Sequence, residues 1–132
     1  MLEFPFDTTR AVTNLIYPGA FDRFDRIRWI IPHAGGTLPF LGARIAGMAP
    51  MLGADPGMVS AALRRAWYDL AGSASAPHLD ALDLVADPAR VLYGSDWPFT
   101  PEPAVAGLRR ALDDGRVAAL TANALALFPR FA

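Results

Sequence analysis

The chain has no cysteine, no lysine and only two histidines. The first absence removes disulfides and thiolate metal sites. The second removes Schiff-base and lysine-nucleophile chemistry, since every basic side chain is an arginine. An excess of one charge is lacking too: 12 basic against 13 acidic residues leave a formal net charge of -1. Composition therefore gives no reason to expect a nucleic-acid partner or an anionic membrane surface. No apolar run approaches the roughly 20 residues of a membrane span. Met1 is followed by Leu-Glu-Phe-Pro, without the basic stretch and long apolar run of a signal peptide, so the cytoplasm is the default compartment. What remains is a chain of 132 residues, 53% of them hydrophobic, long enough for one domain with a real core and too short for two.

Short apolar runs alternate with helix-like segments. Val91 to Tyr93 runs into Gly94-Ser95-Asp96, and Ile27 to Ile31 runs through Pro32 into His33, Ala34, Gly35 and Gly36. Runs this short, bounded by turn residues, read as buried strands of a parallel sheet. Pro32 has no N–H and suits a strand end. Trp67 to Leu70 is a weaker third strand, with 72–76 as its exit loop. Helices are predicted over 8–16 behind an Asp7-Thr8-Thr9 cap, and from Thr37 to Ala49 with Phe40, Leu41, Ile45 and Met48 as the buried stripe. Others follow at 56–65 behind Asp55, at 77–85, from Glu102 behind Thr100 until Asp113-Asp114-Gly115, and over 117–128 with Leu120, Ala124, Leu127 and Phe128 on one side.

The alternation predicts an α/β domain with right-handed crossovers and a parallel sheet covered by helices. His33 and Asp96 then lie just beyond strand ends, where α/β sheets and barrels place ligands and catalytic groups. A core histidine bonded to a carbonyl is the bland alternative for His33, and an Asx-type cap on the Trp97-Pro98 turn is the one for Asp96. Asp69 leans toward structural hydrogen bonding, His78 toward a polar residue at a helix start. The arginines at 64, 65, 109 and 110 read as solvated helix faces, and Glu3 is assigned nothing. Three strands are few for a parallel sheet with two edges to protect, so the fold looks incomplete.

The blocks Ile31-Pro-His33-Ala-Gly-Gly-Thr-Leu-Pro39 and Leu92-Tyr-Gly-Ser-Asp96-Trp-Pro-Phe99 resemble the carboxyl-terminal part of the amidohydrolase-related metal enzymes. The likeness is to the branch with aminocarboxymuconate semialdehyde, 6-methylsalicylate and γ-resorcylate decarboxylases. The opening Met1 to Arg10 and the ending Ala122 to Pro129 also resemble that branch. The resemblance implies a partial (β/α)8 TIM barrel whose three strands are the sixth to eighth. It also implies a divalent metal, zinc or manganese, with Asp96 as a ligand and His33 as the group that moves a proton. Trp97 and Phe99 either line a substrate pocket or pack the barrel rim, since aromatics dominate both settings. The family's remaining histidine ligands have no counterpart, because only His33 and His78 are present and no His-x-His occurs.

Two expectations follow. One is a metal-dependent enzyme acting on a small carboxylated aromatic or related ring, by non-oxidative decarboxylation or by hydrolysis. The other is a catalytically silent barrel portion lacking its amino-terminal strands, from a truncated gene, an internal start or a split enzyme. Such a portion would form homo-oligomers or join a companion chain that supplies the missing strands.

Overall fold

A computed structural model of the chain describes residues 2–73 and 75–132. Met1 and Ala74, the latter inside the expected exit loop, lie outside the described residues. In chain order the elements are α1 (Glu3–Ile16), α2 (Ala20–Arg23), β1 (Ile30–Ile31), α3 (Leu38–Met48), α4 (Pro56–Arg65), β2 (Trp67–Asp69), α5 (Ala76–Val85), β3 (Val91–Leu92), α6 (Glu102–Arg110) and α7 (Asp114–Leu127). Among the described residues no helix is long and apolar enough to cross a membrane.

The strands form one parallel sheet in the order β1-β2-β3. Register aligns Ile31, Tyr68 and Val91 in one row, and aligned residues of a sheet share a face. That face is closed: the three are 3%, 0% and 2% exposed and join Leu38, Val59, Leu63 and Leu82 in the core. The row before it, Ile30 and Trp67, points the other way. There Ile30 is 42% exposed and Trp67 half-buried, so one side of the sheet carries helices and the other is partly open.

Helix α1 starts earlier than its apolar spacing suggests. Pro5 falls in the first turn, where the missing N–H would have no partner anyway. Thr9 is consequently not a cap but a buried interior residue. Its hydroxyl donates to the Pro5 carbonyl at 2.8 Å and accepts the Thr37 backbone N–H at 3.0 Å, and it also pairs with the Thr37 hydroxyl at 2.8 Å. These bonds fasten α1 to the turn after β1. Close approach there requires glycine, since a Cβ on Gly36, at φ +61°, would stand 2.4 Å from the Pro5 carbonyl oxygen.

Other boundaries moved for identifiable reasons. Asp55 caps α4 as expected, accepting the Gly57 N–H at 2.8 Å. Asp113 caps α7 through the Arg116 N–H instead of closing α6, so the last helix begins at Asp114. The stripe expected on α3 is wrong at three of its four positions. Ile45 is buried with Leu38, Pro39 and Gly42, while Phe40, Leu41 and Met48 are exposed. A helix pressed against α4 and α5 buries small residues at close crossings, as Gly42 does against Leu63 and Val85, and a hydrophobicity pattern does not register those. Arg65 is also not a solvated cation: it pairs with Asp22 at 3.1 Å. Asn123, which drew no attention in the sequence, donates to the carbonyls of Pro88 and Val91 and holds α7 against the start of β3.

Replacing Thr9 by valine keeps its shape and removes the acceptor for the Thr37 N–H, leaving a part-buried donor unpaired. The expected cost is about 1–3 kcal/mol, read as a lower urea midpoint with an unchanged slope.

Candidate functional site

Because the strands are parallel, their carboxyl ends share one rim, and each delivers a polar residue there. β2 ends in Asp69, β1 gives His33 after Pro32, and β3 gives Asp96 after Tyr93-Gly94-Ser95. β1 and β3 flank β2, so their axes stand about 10 Å apart at ordinary strand spacing. The geometric expectation that the imidazole and the carboxylate leave the same edge of one parallel sheet matches this topology.

The backbone marks the same two residues. Among the described residues, those with positive φ that are not glycine are His33 (56°), Ala34 (52°) and Asp96 (61°). A left-handed conformation is uncommon outside glycine, with histidine and aspartate among the more tolerant types. It costs roughly 1–3 kcal/mol per residue and collects where function demands a particular side-chain placement.

At His33 the backbone N–H donates to Asp69 Oδ1 at 3.2 Å. The imidazole Nδ1 is buried and has no hydrogen-bond partner among the described residues. The bland reading of a core histidine satisfied by a carbonyl is thus not what the structure holds at Nδ1, and an unsatisfied buried polar atom calls for an explanation. At Asp96 the Asx-cap reading fails as well. The Trp97 N–H goes to Ser95 Oγ at 3.2 Å, while Asp96 Oδ2 accepts the Thr100 hydroxyl at 2.9 Å and the Asp96 carbonyl accepts the Thr100 N–H at 2.8 Å. Thr100, expected to cap α6, orients Asp96 instead, and α6 starts without a side-chain cap.

His78 is structural. Its Nε2–H donates to the Gly36 carbonyl at 3.1 Å and its ring lies 5.7 Å from that of Phe40. Trp97 and Phe99 are 65% and 87% exposed on the loop leaving β3. The concavities lie elsewhere. One of about 430 Å³ runs between α1 and α3 and is lined by Arg10, Tyr17, Arg44 and Met48 among others. A smaller one of about 190 Å³ lies between α1 and β1, bordered by Pro32 and by Trp29, whose indole nitrogen is buried without a partner. Neither includes His33, Asp69 or Asp96.

Among the described residues no group of three or more histidines and carboxylates could hold a metal ion. A catalytic zinc site takes about three protein ligands. The residues present do not form such a site by themselves.

Polar side chains held at the carboxyl ends of adjacent parallel strands, with helices outside, define an α/β protein of the barrel or open-sheet class. Across residues 4–130 the chain matches the family described as Amidohydrolase, and it belongs to that family. It is 37% identical to the 6-methylsalicylic acid decarboxylase acuB of Aspergillus aculeatus, covering 98% of this chain and 44% of that protein. Its fold superimposes on the 5-carboxyvanillate decarboxylase LigW of Sphingomonas paucimobilis with a TM-score of 0.76 and 29% identity, over 95% of this chain and 40% of that one. A dihydroxybenzoic acid decarboxylase from Polaromonas sp. JS666, crystallised with manganese, matches in fold at a TM-score of 0.81 and 20% identity, over 98% of this chain and 42% of that one. The chain therefore spans less than half the length of these relatives, and its strands and helices are part of a (β/α)8 barrel.

The left-handed backbone at Asp96 gives a direct test. Asp96→Gly and Asp96→Ala both lose the Thr100 bond, but only glycine takes a positive φ freely. The glycine variant should be the more stable of the two by about 1 kcal/mol in urea unfolding. The reverse order, usual elsewhere in proteins, would mean that Asp96 is not left-handed in solution.

Proposed function

We propose that this chain, a single unit over 1–132, forms the His33 and Asp96 wall of the active-site rim in a cytoplasmic, metal-dependent decarboxylase. The substrate is a small carboxylated aromatic ring. The observation that carries the reading is the coincidence of position and backbone. On either side of the central strand's end, a histidine with a buried nitrogen that has no partner among the described residues and a carboxylate both take left-handed backbone. The similarity to 6-methylsalicylic acid and 5-carboxyvanillate decarboxylases supports the choice of reaction over hydrolysis.

In non-oxidative decarboxylation the bond between ring carbon and carboxyl carbon breaks, and its electron pair stays on the ring while carbon dioxide leaves. A proton must then reach that carbon. His33 delivers it from the imidazolium and is left neutral, to be reprotonated by solvent. Asp96 would contribute one carboxylate toward a divalent cation, zinc or manganese. Such an ion, when bound, offsets the negative charge of the bound acid. The other ligands come from outside this chain's described residues, since one carboxylate does not make a site. Trp97 and Phe99, exposed on the adjoining loop, supply apolar area for the ring.

The partly open sheet face favours a second reading for the isolated chain. With Ile30 42% exposed and no metal-binding group among the described residues, the chain alone is silent, and it gains activity only in an oligomer or beside a companion chain carrying the missing strands.

Both readings are tested on the purified protein by metal analysis, carbon dioxide release from carboxylated phenols, and light scattering after size exclusion. Oligomers are expected. Where turnover is found, His33→Gln should lower kcat about 10²- to 10⁴-fold with little change in KM. Asp96→Asn should lower bound metal. Turnover that survives His33→Gln would overturn the assignment, and a well-behaved monodisperse monomer would count against the open sheet face of the second reading.

A further inference from the structure

We infer that Asp69, at the end of the central strand, is a positioning residue that holds the His33 and Asp96 loops in fixed relation. It touches both. Its Oδ1 accepts the backbone N–H of His33 at 3.2 Å, 36 residues away in sequence, and the N–H of Ala71 at 3.0 Å. On its other side its Cβ and Cγ lie against Gly94, two residues before Asp96. A Cβ built on Gly94 would stand 3.3 Å from each of those atoms and 3.3 Å from the Ala71 nitrogen.

The Ala71 bond alone would be an ordinary Asx turn, the local habit of any aspartate leaving a strand. The bond to His33 has no such local origin. His33 lies two residues beyond β1, past Pro32, and β2 meets its N–H with a side chain instead of a ladder carbonyl. The same carboxylate thereby supports an unfavourable backbone conformation on the residue proposed to move the proton. Gly94 completes the arrangement because any side chain there would press on Asp69, and through it on His33. The chain of contacts runs His33 N–H, Asp69 Oδ1, Asp69 Cβ, Gly94, and from there to Asp96. Asp69 acts through the two loops and is not itself assigned to the chemistry.

This role rests on the reading of His33 and Asp96 given above, yet it is measurable without metal, substrate or partner. The readout is amide hydrogen exchange followed by NMR on the full chain. Asp69→Ala should speed exchange at His33 by about tenfold. Resonances of residues 94–96 should shift, while Tyr68 and Val91 in the buried row keep their rates. Asp69→Asn retains an acceptor oxygen in the same place and should restore His33 protection to within about threefold. Gly94→Ala leaves Asp69 in the chain but crowds it, and should raise His33 exchange although the substitution lies 61 residues away (94 - 33).

His33 protection unchanged in Asp69→Ala, or unchanged in Gly94→Ala, would overturn the inference. So would a uniform loosening of Tyr68, Val91 and His33 together, which would make Asp69 a residue of general stability. In an active assembly Asp69→Ala should lower kcat with KM within about threefold. If the exchange results hold while kcat does not move, the positioning stands and the proton-transfer role of His33 falls.

Discussion

Burial of the row Ile31, Tyr68 and Val91 is the constraint on which the other features depend. Each strand is only two or three residues long, so the ladder bonds are too few to set register unaided. Tyr68 supplies the anchor. Its side chain is fully buried, its hydroxyl donates to the Leu63 carbonyl at 2.8 Å, and burial raises the phenol pKa well above its usual value. Slipping any strand by one residue would turn this row toward the open face and expose it. With the row fixed, the three strands end within one residue of the same level, and Asp69, His33 and Asp96 follow at a common edge.

That edge is strained and braced at the same time. Left-handed backbone at His33, Ala34 and Asp96 costs roughly 1–3 kcal/mol per residue, a large share of what a small domain has to spare. The bracing comes from three directions: Thr9 and Thr37 below the turn after β1, Asp69 across to His33, and Thr100 across to Asp96. None of these bonds lies inside a regular element. They are side-chain bonds joining segments that the sheet has already brought together, and their number at this rim contrasts with the simple capping turns at Asp55, Asp87 and Asp113.

Membership of the amidohydrolase family and the (β/α)8 fold account for the parallel sheet, the outer helices and the polar rim. They also account for the asymmetry of the sheet. In a barrel the face away from the helices is closed by the other strands, and here that face shows Ile30 beside Trp67. The arginine Arg90 lies over the Trp67 ring at 5.7 Å and donates to the Arg65 carbonyl at 2.8 Å, covering part of that face from the β3 side.

The sequence by itself determined the alternation of strands and helices, the parallel sheet, and the two residues placed just past strand ends. Apolar runs, prolines and glycine pairs are local signals, and local chemistry decides where a strand must stop. It also placed the cap at Asp55, because a side chain that bonds a backbone N–H two residues on needs nothing distant. Only the tertiary structure decided that Thr9 is a strut and not a cap, that α3 buries Leu38 and Gly42 in preference to Phe40 and Met48, and that Thr100 serves Asp96. It alone gave His33 and Asp96 their left-handed backbone and set Asp69 between them. The roles of Thr9 and Asp69 depend on partners 28 and 36 residues away, and the buried side of α3 on how closely two helices approach. Such a distance becomes contact only when the core closes, and no pattern of residue types along the chain encodes it.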